Sequence, residues 1–198
     1  MTPSDDARLE VLHVHYSETF SIIGAQVRTR DRLVLAVLAS LALLAIDTWL
    51  PQQLGIVVGG VAREKFGVGA TFGPGLLTAV LWSLFTVSVI RYFQSCVYLE
   101  RLYRYVHALE SDLSRFFSGV PFTREGEFYL KKYPWYSTVI STVYSFALPI
   151  GVVVAVVLKL LDEFSNVASV PALIVDTSLG SIIVTASILY LVHVVFTR

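Results

Sequence analysis

Residues 76–93 read LLTAVLWSLFTVSVIRYF, an apolar run whose only charge, Arg91, stands near its end. A helix needs about 20 mostly apolar residues to cross about 30 Å of hydrocarbon, so this run reads as a membrane span. Its pattern does not stop at Phe93. Leu99, Leu102, Val106, Leu109, Leu113 and Phe116 follow at alternating three- and four-residue steps, the seam of a coiled-coil-like helix. The same register runs backwards through Ser95, Tyr92, Ser88, Phe85 and Leu81. The span and the seam are therefore expected to form one helix from about Leu76 to Ser118. At about 1.5 Å per residue it would be roughly 65 Å long. Gly119 and Pro121 supply its stop. The six seam residues are expected to join protomers or to hold a partner.

Three further runs have the length and composition of spans: 33–50, ended by Pro51, then 139–161, and 172–196, opened by Pro171. The chain of 198 residues is 55% hydrophobic and 15% charged, where soluble domains carry about 25% charge. The fold class is therefore an all-α membrane protein of four transmembrane helices. The rest divides into an amphipathic helix over 1–32, an outer loop over 51–75, a helical extension and loop over 94–137, and a second outer loop over 162–171. Besides Arg91, the spans contain only Asp47, Lys159 and Asp176 as charged residues. Each stands near a span end, where its head is expected to reach the interface.

Orientation follows from the basic residues. Twelve of the fifteen Lys and Arg fall in 1–32, at Arg91 by the end of span two, in the segment between spans two and three, or at Arg198; only Arg63, Lys65 and Lys159 fall on the other side. The positive-inside rule then places both termini in the cytoplasm of a bacterial inner membrane. The first apolar run starts only at Leu33, after Asp5, Asp6, Glu10, Glu18 and Asp31, so it reads as a retained span rather than a cleaved signal.

In the first segment, Leu9, Leu12, Tyr16, Phe20, Ile23 and Val27 recur at helical steps, with Ser4 as cap and Asp5 and Asp6 at the positive end of the dipole. That helix is expected to run into span one without a break. In the outer loop, a short helix is expected around Val57 to Phe66. Lys131, Lys132, Trp135 and Tyr136 precede span three as a basic and aromatic membrane-interface anchor. Pro149 with Gly151 predicts a kink in span three.

Catalysis finds no support. There is no nucleophile elbow, phosphate loop or dinucleotide fingerprint. His13 and His15, two apart, point to different helix faces, and His107 and His193 read as lacking a partner at helical spacing, so no metal site is expected. Cys96 stands alone. The expectation is a protein that is not an enzyme and carries no cofactor. Asp176 reads as a polar cap or a partner for Lys159, with an intramembrane functional role as the alternative. Hydroxyl stripes occur at Thr177, Ser181 and Thr185 on span four and at Thr138, Thr142 and Ser145 on span three; Ala36 and Ser40 make a small-residue pair on span one. These are expected to let helices pack closely and hydrogen-bond across, or to line a pore in an oligomer. Arg101, Arg104 and their tyrosine neighbours fit anionic lipid better than nucleic acid.

The His-x-His-Tyr segment at His13 to Tyr16, Arg-Thr-Arg-Asp-Arg at Arg28 to Arg32, Tyr-Leu-Glu-Arg-Leu-Tyr-Arg-Tyr at Tyr98 to Tyr105 and Thr-Arg-Glu-Gly at Thr123 to Gly126 together resemble small four-helix membrane accessory proteins of bacterial defence loci. Those beside type VI-B CRISPR nucleases and RADAR systems are similar in layout, as is the membrane subunit of the Kiwa system. The resemblance implies a homo-oligomeric inner-membrane accessory or effector of antiphage defence, in contact with the bilayer and with a soluble cytoplasmic defence protein. It would act by pore formation or membrane perturbation. A scaffold that only recruits a soluble defence protein, and a small channel or transporter, are the alternatives.

Overall fold

The structure, a computed structural model, describes residues 5–67, 74–116, 142–165 and 170–197. Among them there is no strand. The helices are α1 (Asp5–Trp49), α2 (Pro51–Phe66), α3 (Pro74–Ser114), α4 (Leu148–Ser165) and α5 (Val170–Thr197), with a π-helical turn, Val143–Ala147, leading into α4. Four stretches are long and apolar enough to cross a membrane: Ala7–Trp49, Gly75–Ser114, Val143–Ser165 and Val170–Phe196. The chain is an all-α multi-pass membrane protein.

Sequence explains the helix limits. The residue before a proline is pushed out of the helical region, and Leu50 has φ −136° and ψ 51° before Pro51. Pro51 then opens α2 in the first turn, where a missing N–H costs nothing. Gly67 closes α2 in the left-handed region at φ 66°, its N–H donating to the Arg63 carbonyl at 3.1 Å. The helix expected at 57–66 therefore begins six residues earlier, because Pro51 is an N-terminal signal. α3 ends in a turn at Arg115 and Phe116, short of the expected Ser118. α4 runs on to Ser165, past the expected limit at 161, and this brings Glu163 into a helix. The anchor residues Lys131, Lys132, Trp135 and Tyr136, and Thr138, lie outside the described residues.

Span three accommodates its proline through the π turn. Pro149 is buried and has no N–H for the carbonyls four and five residues before it, those of Ser145 and Tyr144. The Tyr92 hydroxyl donates to the Tyr144 carbonyl at 2.8 Å. Before the proline, where a kink is expected from sequence, the helix changes register locally.

The chain forms two compact units: Met1–Arg32 with Gln94–Thr142, and Leu33–Phe93 with Val143–Arg198. In the first unit, α1 meets α3 along a narrow seam. Ile23, Leu99 and Val106 are buried together, with Tyr16, Val27 and Leu102 packed against them. Gln26 Nε2 donates to Ser95 Oγ at 2.8 Å. Of the apolar positions expected to face inward, Phe20 points outward at 41% exposure, and Thr19 takes its place at 6%. A two-helix seam is narrower than the face of a globular amphipathic helix, and the 3,4 steps through Tyr16, Thr19 and Ile23 follow it.

The second unit buries several hydroxyl side chains and exposes many apolar ones. Ser40, Thr86, Ser88 and Ser187 are buried, whereas Leu35, Leu84, Val154, Leu158, Ile182 and Leu189 are exposed. That pattern suits lipid as the surrounding solvent. Two helices approach closely at Gly180, where an added Cβ would stand 2.9 Å from Leu160 Cδ1 and 3.3 Å from Val156 Cγ1. Phe93 and Tyr190 stack with ring centroids 4.5 Å apart.

Candidate functional site

Four helices of the second unit bring ionisable side chains and their donors to one buried cluster. Asp47 comes from the last turn of α1, Thr78 and Trp82 from the start of α3, Lys159 and Glu163 from the end of α4, and Asp176 from the start of α5. The chain reverses direction between these helices, so residues late in one span and early in the next share one end of the unit. Lys159 Nζ stands 3.3 Å from Glu163 Oε1 and 4.0 Å from Asp47 Oδ2. Thr78 Oγ1 donates to the same Asp47 oxygen at 2.7 Å. Trp82, fully buried, donates from Nε1 to Glu163 Oε1 at 3.1 Å. Asp176 interacts electrostatically with Glu163, Lys159 and Asp47.

Burial makes these charges costly. The Asp47 side chain is 3% exposed, Lys159 13% and Glu163 14%; Asp176 as a residue is 4% exposed. They do not reach outward to an interface as their positions near span ends suggested; they turn into the helix bundle, where only one another and a few donors can compensate them. Three carboxylates face one ammonium. Asp47 Oδ1, Glu163 Oε2, Asp176 Oδ1 and Thr177 Oγ1 are buried without a hydrogen-bond partner.

Sequence reasoning singled out Asp176 and Lys159 but missed Asp47 and Glu163 as members of one network. Glu163 lay beyond the assumed span end. The signal that could have found Glu163 was its i,i+4 spacing from Lys159, an ion-pair spacing on one helix face; no local pattern marks Asp47. Among the described residues no group of His, Cys, Asp and Glu is arranged to hold a metal ion.

The hydroxyl stripes divide. Ser40, Thr86, Ser88 and Ser187 donate to carbonyls of their own helix four residues back, at 2.7–2.8 Å. At these positions the hydroxyl proton is satisfied by backbone within a helix. Ala36 is exposed while Ser40 is buried, so the two do not share one interface. On α5, Thr177 is half-buried and Ser181 and Thr185 are exposed; on span three, Thr142 is exposed and Ser145 half-buried. Ser181 Oγ donates to the Thr177 carbonyl at 2.8 Å. A groove of about 490 Å³ beside this stripe is lined by Phe164, Leu173, Ile174, Thr177, Ser178 and Ser181.

One expectation about the first unit is corrected, and another gains a contact within the chain. Of the seam expected to join protomers or to hold a partner, Leu99, Leu102 and Val106 pack against α1 of the same chain, and Leu109 and Leu113 are buried at 6% and 3%. Only Phe116, half-buried, remains outside that count. The earlier part of α1 carries the matching period, so the nearest copy of the complementary stripe is in the same chain. His107, read as lacking a partner, lies 3.2 Å from Glu110 Oε2 through Nδ1, at an i,i+3 spacing. Glu110 is buried and also accepts from the Tyr16 hydroxyl at 3.4 Å.

No family model, curated protein or solved structure matches the chain.

Proposed function

We propose that this chain is a homo-oligomeric inner-membrane accessory or effector of an antiphage defence system, which changes membrane permeability when its first unit meets a cytoplasmic partner. The observation that carries the reading is the outward hydroxyl face of α5. Ser178, Ser181 and Thr185 are exposed there on a helix whose other outward positions include Ile174, Ile182, Ile188 and Leu189. Hydroxyls gain nothing from lipid tails, but they suit a helix–helix contact or a water-lined path. A second copy of the chain, applied along this face, would cover them and the groove beside them.

Two further observations support the trigger. α1 and α3 are unbroken at residues 32–33 and 93–94 and supply residues to both units, so the same two helices belong to the part that meets a partner and the part that meets lipid. The Lys and Arg asymmetry supports cytoplasmic termini, and the resemblance to defence accessories supports the setting.

The test is membrane potential in cells that express the chain together with its genetic neighbours, challenged by phage. Depolarisation that Ser181→Leu suppresses is the expected result. An unchanged potential under challenge overturns the permeability reading. A second reading, a small channel or transporter acting alone, is favoured by the buried carboxylates. It predicts ion flux from the purified chain in liposomes with no partner present.

A further inference from the structure

We propose that the Asp47–Lys159–Glu163–Asp176 cluster is a proton-binding site, with Asp176 as the residue that takes up the proton. The inference goes beyond the oligomeric reading. Proton uptake would be a property of each folded chain, whether or not copies assemble or conduct.

The argument starts from charge balance. Among the described residues, the charged groups of the cluster come from three of the helices: Asp47 from α1, Lys159 and Glu163 from α4, Asp176 from α5. α3 contributes Thr78 and Trp82, which are neutral. On α4, Asp162 is half-buried, and the charges of α2 at Arg63, Glu64 and Lys65 are exposed. With all three carboxylates ionised, one lysine leaves two negative charges uncompensated inside a helix bundle. Burying an uncompensated charge costs several kcal/mol, and groups so placed neutralise rather than stay charged. A proton is the smallest neutralising cation, and no arrangement for a metal ion is present among the described residues.

Geometry then selects the residue. Asp47 has Thr78 and Lys159 on one oxygen, and Glu163 has Lys159 and Trp82 on one oxygen. Those donors offset the cost of burying the two side chains. Asp176 is only 4% exposed, and its Oδ1 has no partner. Thr177 Oγ1, next along the chain, is equally unpartnered. The step is a simple uptake: a proton from water bonds to the Asp176 carboxylate, no bond in the protein breaks, and the cluster becomes one unit less negative. In the membrane, ionisable groups placed like this are the usual elements of proton paths.

Trp82 provides a built-in reporter, since its indole N–H ends on Glu163 inside the cluster. Trp49→Phe and Trp135→Phe leave it as the single tryptophan. In lipid nanodiscs with choline as the only other cation, Trp82 emission should shift in one step as the pH is changed, and Asp176→Asn should remove that step. Infrared difference spectra across the same range should show the carbonyl stretch of a protonated carboxylic acid, also lost in Asp176→Asn. If Asp176→Asn does not fold, the infrared band of the parent protein decides on its own: its absence at every pH overturns the proposal. A pH step that survives Asp176→Asn overturns the assignment to this residue. A saturable Trp82 response to sodium at constant pH overturns the proton in favour of a metal cation.

Discussion

The Tyr92 hydroxyl donates to the Tyr144 carbonyl at 2.8 Å, five residues before Pro149. In water a stray carbonyl at a proline is solvated; inside a bilayer it must find a donor in the protein. Tyr92 is fully buried on α3 and provides one. Tyr92→Phe is expected to cost about 1–3 kcal/mol, the range for leaving a buried acceptor unsatisfied. Pro149→Ala restores an N–H to the turn, so the cost of Tyr92→Phe should shrink in that background. Denaturant titration of the four proteins in detergent, read as a double-mutant cycle, checks this. Equal costs in both backgrounds would show that the hydroxyl does not stand in for the proline.

Among the described residues Lys159 is the only cation in the buried cluster, so its loss should be severe. Lys159→Met is expected to destabilise the second unit by about 3–5 kcal/mol, the cost of breaking a buried pair. Adding Asp47→Asn and Glu163→Gln to Lys159→Met should recover a good part of it, because the orphaned charges go too. Thermal unfolding of the single and triple variants measures the difference. A triple variant no more stable than the single one would argue against the charge account.

Gly180 sets the distance between α4 and α5. Gly180→Ala places a methyl 2.9 Å from Leu160 Cδ1, a flexible side-chain end that can yield, and should cost about 1–3 kcal/mol as overpacking. Gly180→Leu should prevent close packing. At Gly151 an added methyl would meet nothing within 4 Å. Gly151→Ala should therefore fit without loss and gain roughly 0.5–1 kcal/mol from helix propensity. Melting temperatures of the three variants test the contrast.

The seam in the first unit should behave as an internal core. Leu99→Ala and Ile23→Ala are each expected to cost about 2–5 kcal/mol, whereas Phe20→Ala, at an exposed position, should cost far less. Amide exchange over residues 99–113 should rise in the first two and stay near the parent level in the third. Protection that is insensitive to Ile23→Ala would mean that α3 does not depend on α1 there.

Much of the fold is legible in composition and period. Span length, the 3,4 seam and the proline boundaries each have a single cause that acts along the chain, and each can be read from neighbours in sequence. The partner of the seam is less legible: the stripe through Leu99 and Val106 looks alike whether it faces another copy or Ile23 of the same chain. The cluster is harder still. Asp47 and Glu163 stand on the first and third spans, and what joins them is the antiparallel return of the spans, which no local pattern encodes. The hydroxyls are ambiguous for a different reason: Ser40 has the spacing of a packing residue, yet it satisfies its donor on its own backbone.

The outward face of α5 carries the functional account, and disulfide trapping tests it most directly. Ser181→Cys in a Cys96→Ser background, oxidised in native membranes, should give a cross-linked dimer, and Ile182→Cys on the adjoining exposed face should not. A Ser181→Cys chain that stays monomeric under the same oxidation, or one that cross-links no better than Ile182→Cys, would contradict assembly through this face.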